Sequence, residues 1–398
     1  MKITDVTHCT GCRACEQLCP SKCISMAMDN DGFLYPTIDE KKCIQCGLCA
    51  RRCPSNTYAT DVKTKKSSVY AVKLKDKQKL LESSSGGAFT AIAEYVLEKG
   101  GAVFGCVYDK DLTARHIRIC KKENLELLKG SKYVQSDTGN TFTVAKGLLE
   151  KGIYVLYTGT PCEIAGLKAF LKKDYTNLLT VDLICHGVPS PIFFKKYISW
   201  IEKHYNGKVL SFIFRDKAKG GWGFTSSVKI KKGKKIKTKT FIPDQSPYYN
   251  LFLSGSIYRI CCYKCLYASP NREGDFTIGD FWGIENSHPG FLSDGGVSLL
   301  MVNSKKARSV FSNLQKWLFY IEATFEEASA ENLQLLYPTK MNNMREAYLS
   351  ASRKGNFESV VSLWKKYYWR QYAYATLKQA LPTCLKRPYK LLKSTLRK

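Results

Sequence analysis

The sequence has few acidic residues, no long apolar run and no export signal. It contains 34 Asp and Glu against 62 Lys and Arg, and its formal net charge of +28 favours anionic partners such as nucleic acid, an anionic membrane surface or an acidic redox protein. No stretch approaches the ~18 apolar residues of a membrane span. Because residues 1–5 begin no signal peptide, the 17 cysteines predict metal ligation in the cytoplasm rather than disulfides.

Eight of the cysteines follow one spacing that occurs twice, in residues 9–20 and 43–54. Cys-x2-Cys-x2-Cys-x3-Cys-Pro is the bacterial ferredoxin pattern for 4Fe–4S clusters, in which the fourth cysteine of each run ligates the other cluster. Zinc sites usually pair two short motifs across a longer gap. Cys23 fits no ligand position and is predicted to be a packed thiol. The spacing predicts two ligand sets: Cys9, Cys12, Cys15 and Cys53, and Cys43, Cys46, Cys49 and Cys19.

Further along, strands and helices alternate, which predicts a parallel sheet. A strand at 153–157 leads into Cys162 and a helix, and a strand at 178–184 leads into Cys185 and a helix capped by Ser190. Sites form at the carboxyl ends of such strands, so these two thiols are expected to face one crevice. With a later pair they would bind a third 4Fe–4S cluster or a structural zinc ion: Cys162, Cys185, Cys262 and Cys265. The remaining thiols without a partner spacing are predicted to be buried singly: Cys106, Cys120 and Cys384.

Over about residues 9–303, the order of motifs resembles the beta subunit of coenzyme F420-reducing hydrogenase and its relatives. Besides the double ferredoxin run, the matching motifs are Ser85-Gly86-Gly87, Gly130-Ser131-Lys132-Tyr133, Thr160-Pro161-Cys162, Cys185-His186-Gly187, Cys262-Tyr263-Lys264-Cys265, Arg272-Glu273-Gly274-Asp275 and Gly279-Asp280-Phe281-Trp282-Gly283. Members of this family are flavoproteins that carry FAD and 4Fe–4S clusters.

The resemblance implies that FAD lies beside the Ser85-Gly86-Gly87 loop and the Lys132-Tyr133 segment, with a cluster on the four inner cysteines. Small residues before a helix expose N–H groups on which a phosphate can dock. Lys132 and Arg272 are candidates for holding a cofactor phosphate or the developing flavin anion, with ordinary surface charge as the alternative. Asp280 is expected to touch the flavin or to cap the crevice.

The sequence thus predicts an α+β ferredoxin-like two-cluster domain followed by an α/β flavin-binding domain with a partly parallel sheet. The first domain is expected at 1–58, the two parts of the second at 69–150 and 151–325, and a basic aromatic helical tail at 326–398. A polar linker is expected at 60–68. From residue 353 onward the tail holds twelve Lys or Arg and one acid, Glu358. Its aromatics predict a helical face packed on the body, contact with an anionic membrane or binding of single-stranded nucleic acid.

The predicted function is that of an iron–sulfur flavoprotein oxidoreductase. It would pass electrons between a two-electron donor or acceptor at FAD and one-electron 4Fe–4S clusters. Its partner would be a redox protein or a small-molecule hydride donor or acceptor, and the residues leave open whether that molecule is coenzyme F420. One alternative is an electron carrier without its own substrate. Another is a metal-stabilised nucleic-acid binder, against which the ferredoxin spacing argues. The expected location is cytoplasmic, with peripheral attachment at the inner membrane face through the tail as an extension.

Overall fold

The computed structural model describes residues 2–58 and 67–380. Most of the predicted linker, the end of the basic tail and Cys384 therefore lie outside the described residues. The strands are β1 Ile24–Met28, β2 Leu34–Ile38, β3 Ser68–Leu74, β4 Ala102–Tyr108, β5 Ala114–Ile119, β6 Val155–Gly159, β7 Leu178–Leu183, β8 Lys208–Ile213, β9 Ser226–Lys232, β10 Lys235–Phe241, β11 Phe276–Asp280, β12 Ser298–Val302 and β13 Leu318–Ala323.

Short helices fill the first domain and longer ones cover the sheets. The α-helices are α1 Ala14–Leu18, α2 Leu48–Arg51, α3 Pro54–Thr57, α4 Lys77–Glu82, α5 Ala88–Glu98, α6 Thr141–Glu150, α7 Pro161–Leu171, α8 Pro191–Tyr205, α9 Lys217–Gly220, α10 Pro247–Leu253, α11 Ile284–Ser287, α12 Lys305–Leu314, α13 Phe325–Ala330, α14 Arg345–Arg353 and α15 Glu358–Ala380. Single 3-10 turns occur at Lys122–Leu127, Pro243–Gln245, Ile260–Lys264, Pro289–Phe291 and Leu333–Leu335.

The first domain repeats one loop conformation, as its repeated spacing predicts. In the first loop, Gly11 (φ 74°) and Arg13 (φ 62°) flank the second cysteine, and in the second loop Gln45 (φ 52°) and Gly47 (φ 68°) do the same. Left-handed backbone is costly for a residue with a side chain, yet each loop places a non-glycine at one of the two positions. The spacing of the cysteines therefore imposes the same turn on two different sequences. Strands β1 and β2 pair antiparallel between the loops.

The larger domain is built on an eight-stranded sheet with the order β13-β3-β12-β11-β7-β6-β4-β5. Its central strands β11, β7, β6 and β4 run parallel, and the flanking strands pair antiparallel. Central strands of this kind are buried on both faces and are largely apolar, as β4 and β6 are. This partly parallel sheet confirms the predicted α/β class, and β6 begins two residues later than the sequence suggested.

Helices cover both faces of this sheet, and one helix of the first domain takes part in the covering layer. Helices α5 and α12 pack against one face. On the other face, α6 and α7 form a core that also includes Ala14 and Leu18 of α1. The first domain is thus joined to the larger one through shared apolar core.

A second, three-stranded sheet of order β10-β9-β8 shares an aromatic core with α8, α10, α14 and α15. Trp364 of α15 is fully buried and donates to Asn250 Oδ1 at 3.0 Å, whereas Tyr367 and Trp369 are 50% and 57% exposed. One face of the tail helix is therefore packed on the body, and its opposite face is open. Among the described residues, no helix combines the length and low polarity needed to cross a bilayer.

Gly166 allows α7 to pack closely against the first domain. A Cβ atom on Gly166 would lie 2.9 Å from Cys12 Sγ, whereas one on Gly147 of the neighbouring α6 would meet nothing within 4 Å. We expect Gly166→Ala to destabilise the protein by about 1–3 kcal/mol through overpacking, and the matched Gly147→Ala to stabilise it by about 0.5–1 kcal/mol. Urea unfolding of the two variants measures both effects. Equal midpoints would contradict the close contact.

Candidate functional site

The first predicted ligand set forms one group of thiols under α7. Cys12 and Cys15 each interact with Cys9 and Cys53, so the three cysteines of the first loop and the distant Cys53 lie together. Burial raises the pKa of the Cys12 thiol to about 12. Such a thiol gives up its proton at neutral pH only when a cation replaces it, which fits a metal-binding role.

The second predicted ligand set surrounds a separate cavity at the outer end of the first domain. This cavity has a volume of about 20 Å³, and its wall includes Cys19, Cys43, Cys46 and Cys49. Cys23 belongs to the same wall, and its Sγ lies 3.4 Å from Cys19 Sγ. Cys23 is buried, so it is a packed thiol as expected, and it packs directly against the ligand set.

The four inner cysteines line one crevice, as their positions at strand ends predict. Cys162 follows β6, Cys185 follows β7, and Cys262 and Cys265 lie on and just after the Ile260–Lys264 turn. All four contribute to the wall of a cavity of about 40 Å³. Burial raises the pKa of Cys185 to about 12 and that of Cys162 further. Within the described residues, no three Cys, His, Asp or Glu side chains meet closely enough to hold a single metal ion.

The inner crevice adjoins the first ferredoxin loop. Its wall includes His8, Thr10 and Ser55 of the first domain, which lie next to the predicted ligands Cys9 and Cys53 in the chain. The buried Tyr267 ring interacts with thiols on both sides, Cys162 of the crevice and Cys12 of the first set. The crevice and the first ferredoxin site are therefore neighbours, and side chains such as Tyr267 lie between them.

The two loops predicted to hold FAD come together in the larger domain. Ser131 donates to Ser84 Oγ at 3.2 Å and so joins the two loops. Gly86 packs so tightly on the backbone of Val72 that a Cβ atom would overlap it, and Gly87 has a φ of 87°. The glycines are thus required by the fit of the loop against β3 and β12, and Gly87 begins α5 without a side-chain cap.

Asp280, at the carboxyl end of β11, organises a charged aromatic group beside these loops. It accepts from Arg215 Nη1 at 2.8 Å and from Trp222 Nε1 at 2.6 Å. Trp222 stacks on Trp282 with ring centroids 4.9 Å apart, and Arg215 also reaches the Tyr133 hydroxyl at 3.4 Å. The buried Arg215 Nε has no protein partner among the described residues, which leaves one donor for another group.

Two predicted phosphate contacts have protein partners of their own. Lys132 donates to the carbonyl oxygens of Leu128 and Lys129, and burial lowers its pKa to about 8. Arg272 lies away from the loops, in a fully buried pair with Asp182 at 3.2 Å. Neither residue is the ordinary surface cation that the sequence offered as the alternative.

Several residues that build these sites carry no motif and were not identified from the sequence. Lys217, whose pKa burial lowers to about 8, donates to the Ser85 carbonyl oxygen at 2.7 Å, and Arg215 and Trp222 come from the same segment after β8. The signal available was the unusual run of glycines and aromatics at 220–224. The thiol of Cys120 was expected to be buried and is exposed, because it follows the last residue of β5.

Known protein families match both parts of this arrangement. Residues 154–326 match the family model that describes the C terminus of the beta subunit of coenzyme F420 hydrogenase/dehydrogenase. This segment of the chain is thus related to that beta subunit family. Residues 8–57 match a 4Fe–4S dicluster domain, so the chain is an oxidoreductase-type electron-transfer protein with iron–sulfur clusters in its N-terminal domain. The resemblance drawn from the motifs is thereby confirmed.

Two individual proteins are similar to the chain. An uncharacterized ferredoxin of Methanocaldococcus jannaschii is 37% identical over 54 residues, which are 14% of this chain and 69% of the ferredoxin. A solved structure of the F420-reducing NiFe hydrogenase complex from Methanosarcina barkeri, derivatised with xenon, is 18% identical. That match covers 65% of this chain and 82% of the other, with a TM-score of 0.43.

The buried position of Arg272 predicts a structural role that can be measured. We expect Arg272→Met to destabilise the protein by about 3–5 kcal/mol, because it leaves the Asp182 carboxylate buried without its cation. Arg353→Met is the matched control, since Arg353 pairs with Asp31 and Glu346 near the surface and should change stability by no more than about 1 kcal/mol. Urea unfolding compares them. Similar losses in both variants would show that the buried pair is not needed for folding.

Proposed function

We propose that this protein is an iron–sulfur flavoprotein that exchanges two electrons at FAD and passes them singly through three 4Fe–4S clusters. The observation that carries the proposal is the shared wall between the inner crevice and the first ferredoxin loop. It supports a continuous order: the loops around Ser85 and Asp280, the inner cysteines, the first ferredoxin set and the outer set. A flavin, when bound, supplies hydride exchange and release of single electrons, which a cubane can accept.

The chain's own residues would hold the flavin and keep water from it. Trp222 and Trp282 offer a stacked aromatic wall. The ion pair with Asp280 holds the Arg215 guanidinium in place, and its buried Nε is available as a donor. Lys217 holds the backbone of this loop in place by donating to the Ser85 carbonyl oxygen. Together with the uncapped first turn of α5, these groups suit an aromatic, anionic cofactor.

The inner cysteines would hold the third cluster close to the flavin. Burial disfavours their free thiolates. The positive charge that stabilises these thiolates would therefore come from the bound cluster. His186 also lines the crevice, and burial lowers its pKa, which favours a neutral imidazole beside the cluster. A structural zinc ion is the alternative at this position, and an electron carrier without a substrate is the alternative function.

The outer ferredoxin site is the proposed docking face for a redox partner. Cys46 is exposed there, and Ile44 beside it is 65% exposed. Exposed cations surround this apolar tip: Lys22, Lys41, Lys42, Arg51 and Arg52. An apolar centre with a basic rim suits a protein with an acidic surface, in keeping with the charge of the whole chain. The open face of α15 is the corresponding proposal for an anionic membrane.

Anaerobic purification tests the cofactor assignment. We expect about twelve iron atoms and one FAD per chain, and Cys185→Ala should lose about four of the iron atoms because a cubane needs a thiolate at each corner. Cys106→Ala is the control, since Cys106 is a mostly buried thiol outside the three ligand sets. Zinc in place of iron at the inner site, or iron unchanged in Cys185→Ala, would contradict the third cluster.

The flavin contacts are tested separately from the iron. We expect Trp222→Ala to lower the flavin content at least about tenfold, the effect of losing roughly 1.4 kcal/mol of binding free energy, while iron stays at the wild-type level. Trp369→Ala, which removes an exposed ring of α15, should retain both cofactors. Absorbance after protein precipitation gives the flavin content. Wild-type flavin in Trp222→Ala would place the cofactor elsewhere.

A further inference from the structure

Arg259 is a fully buried cation with no carboxylate partner among the described residues. Its side chain is 0% exposed. The guanidinium donates to neutral oxygens instead: Nε to the Cys9 carbonyl at 2.7 Å, Nη2 to the Leu34 carbonyl at 2.9 Å and Nη1 to Gln135 Oε1 at 3.2 Å. The ring of Tyr35 lies 4.0 Å from its central carbon.

Neutral partners only partly offset the cost of burying a charge, which is several kcal/mol per ion. The groups near Arg259 that can become negative are thiols and one phenol, with Cys261, Cys9 and Cys262 among them. Cys9 belongs to the first ferredoxin ligand set, with its Sγ 3.7 Å from Nη2, and Cys262 belongs to the inner set. Bound as cluster ligands, the Cys9 and Cys262 thiolates would supply the negative charge that this cation lacks, in addition to the neighbouring Cys261 thiol.

The backbone holds the guanidinium in this position. Arg259 begins the Ile260–Lys264 turn, and its N–H donates to the Val188 carbonyl at 2.9 Å, on the loop that follows Cys185. The backbone of Arg259 is thus tied to the loop that follows Cys185, while its side chain extends to the first domain and bonds Cys9 and Leu34 there. A rigid, desolvated cation acts on nearby charges with little screening by salt.

We propose that Arg259 is a charge bridge that raises the reduction potentials of the first ferredoxin cluster and the inner cluster together. An added electron makes a cluster more negative, so a nearby fixed cation stabilises the reduced state. The outer cluster lies beyond this contact, and the hydrogen bonds to its Cys19 come from neutral groups, Ser21 and the Cys23 backbone. Electrons would therefore rest on the inner pair and reach the outer cluster only for transfer to a partner.

The part of this inference that concerns the inner cluster rests on the proposed function, whereas the comparison of the two ferredoxin clusters does not. The test is a potentiometric titration of the whole chain, purified anaerobically and followed by EPR. In Arg259→Gln, we expect the electron distribution between the first and outer clusters to shift at least about tenfold toward the outer one, which is 59 mV for a one-electron couple. Arg259→Lys keeps the positive charge and should therefore restore most of the wild-type electron distribution.

Two further variants separate the charge from the fold. Gln135→Glu places a carboxylate 3.2 Å from the guanidinium and cancels its field while Arg259 stays in place, so the same shift is expected even if Arg259→Gln does not fold. Arg353→Gln is the control, because Arg353 pairs with Asp31 and Glu346 near the surface. Wild-type potentials in Gln135→Glu would overturn the proposal. An iron content of eight in the wild type would refute the third cluster alone.

Discussion

The contact between the first ferredoxin loop and α7 is the constraint on which the rest of the structure depends. Cys12 lies against Gly166, Thr138 donates to the Cys12 carbonyl at 3.2 Å, and Ala14 packs in the core formed by α6 and α7. The first domain has a small apolar cluster of its own, built on Ile3, Cys23, Ile24 and Cys49, and its packing against the larger domain adds to that burial. This docking fixes the position of the two small cysteine loops relative to the parallel sheet.

Hydrogen bonds and an ion pair also hold the carboxyl ends of the strands in place. Asp182 of β7 accepts from the Glu273 and Gly274 N–H groups at 2.9 Å each, besides its pair with Arg272. This network joins β7 to the segment that enters β11, and thereby fixes Cys185 relative to Asp280. Buried ion pairs often add little net stability. Here the pair helps to set the position of the strand ends, and with it the separation of Cys185 from Asp280.

The sequence allowed prediction wherever function imposes a local spacing. The cysteine runs defined both loops, the β-α-β-α alternation defined the parallel strands, and two strand ends were enough to bring Cys162 and Cys185 together. Contacts between distant segments were not predictable, because a single arginine such as Arg259 has no spacing to distinguish it from the other cations. Its partner Cys9 lies 250 residues away in the chain. Arg215 and Trp222 were missed for the same reason, since their role depends on Asp280.

Of the three predicted ligand sets, only the outer one has an exposed thiol, and this difference suits two kinds of chemistry. The inner thiols are closed in by the sheet, α7 and the first domain, where a reactive carrier is protected from water. The outer set includes the exposed Cys46, where a single electron can pass to another protein without any small molecule entering. A carrier that only relayed electrons would need the outer end alone. The enclosed crevice, with aromatic and charged side chains converging beside it, is the feature that argues for chemistry at the inner end.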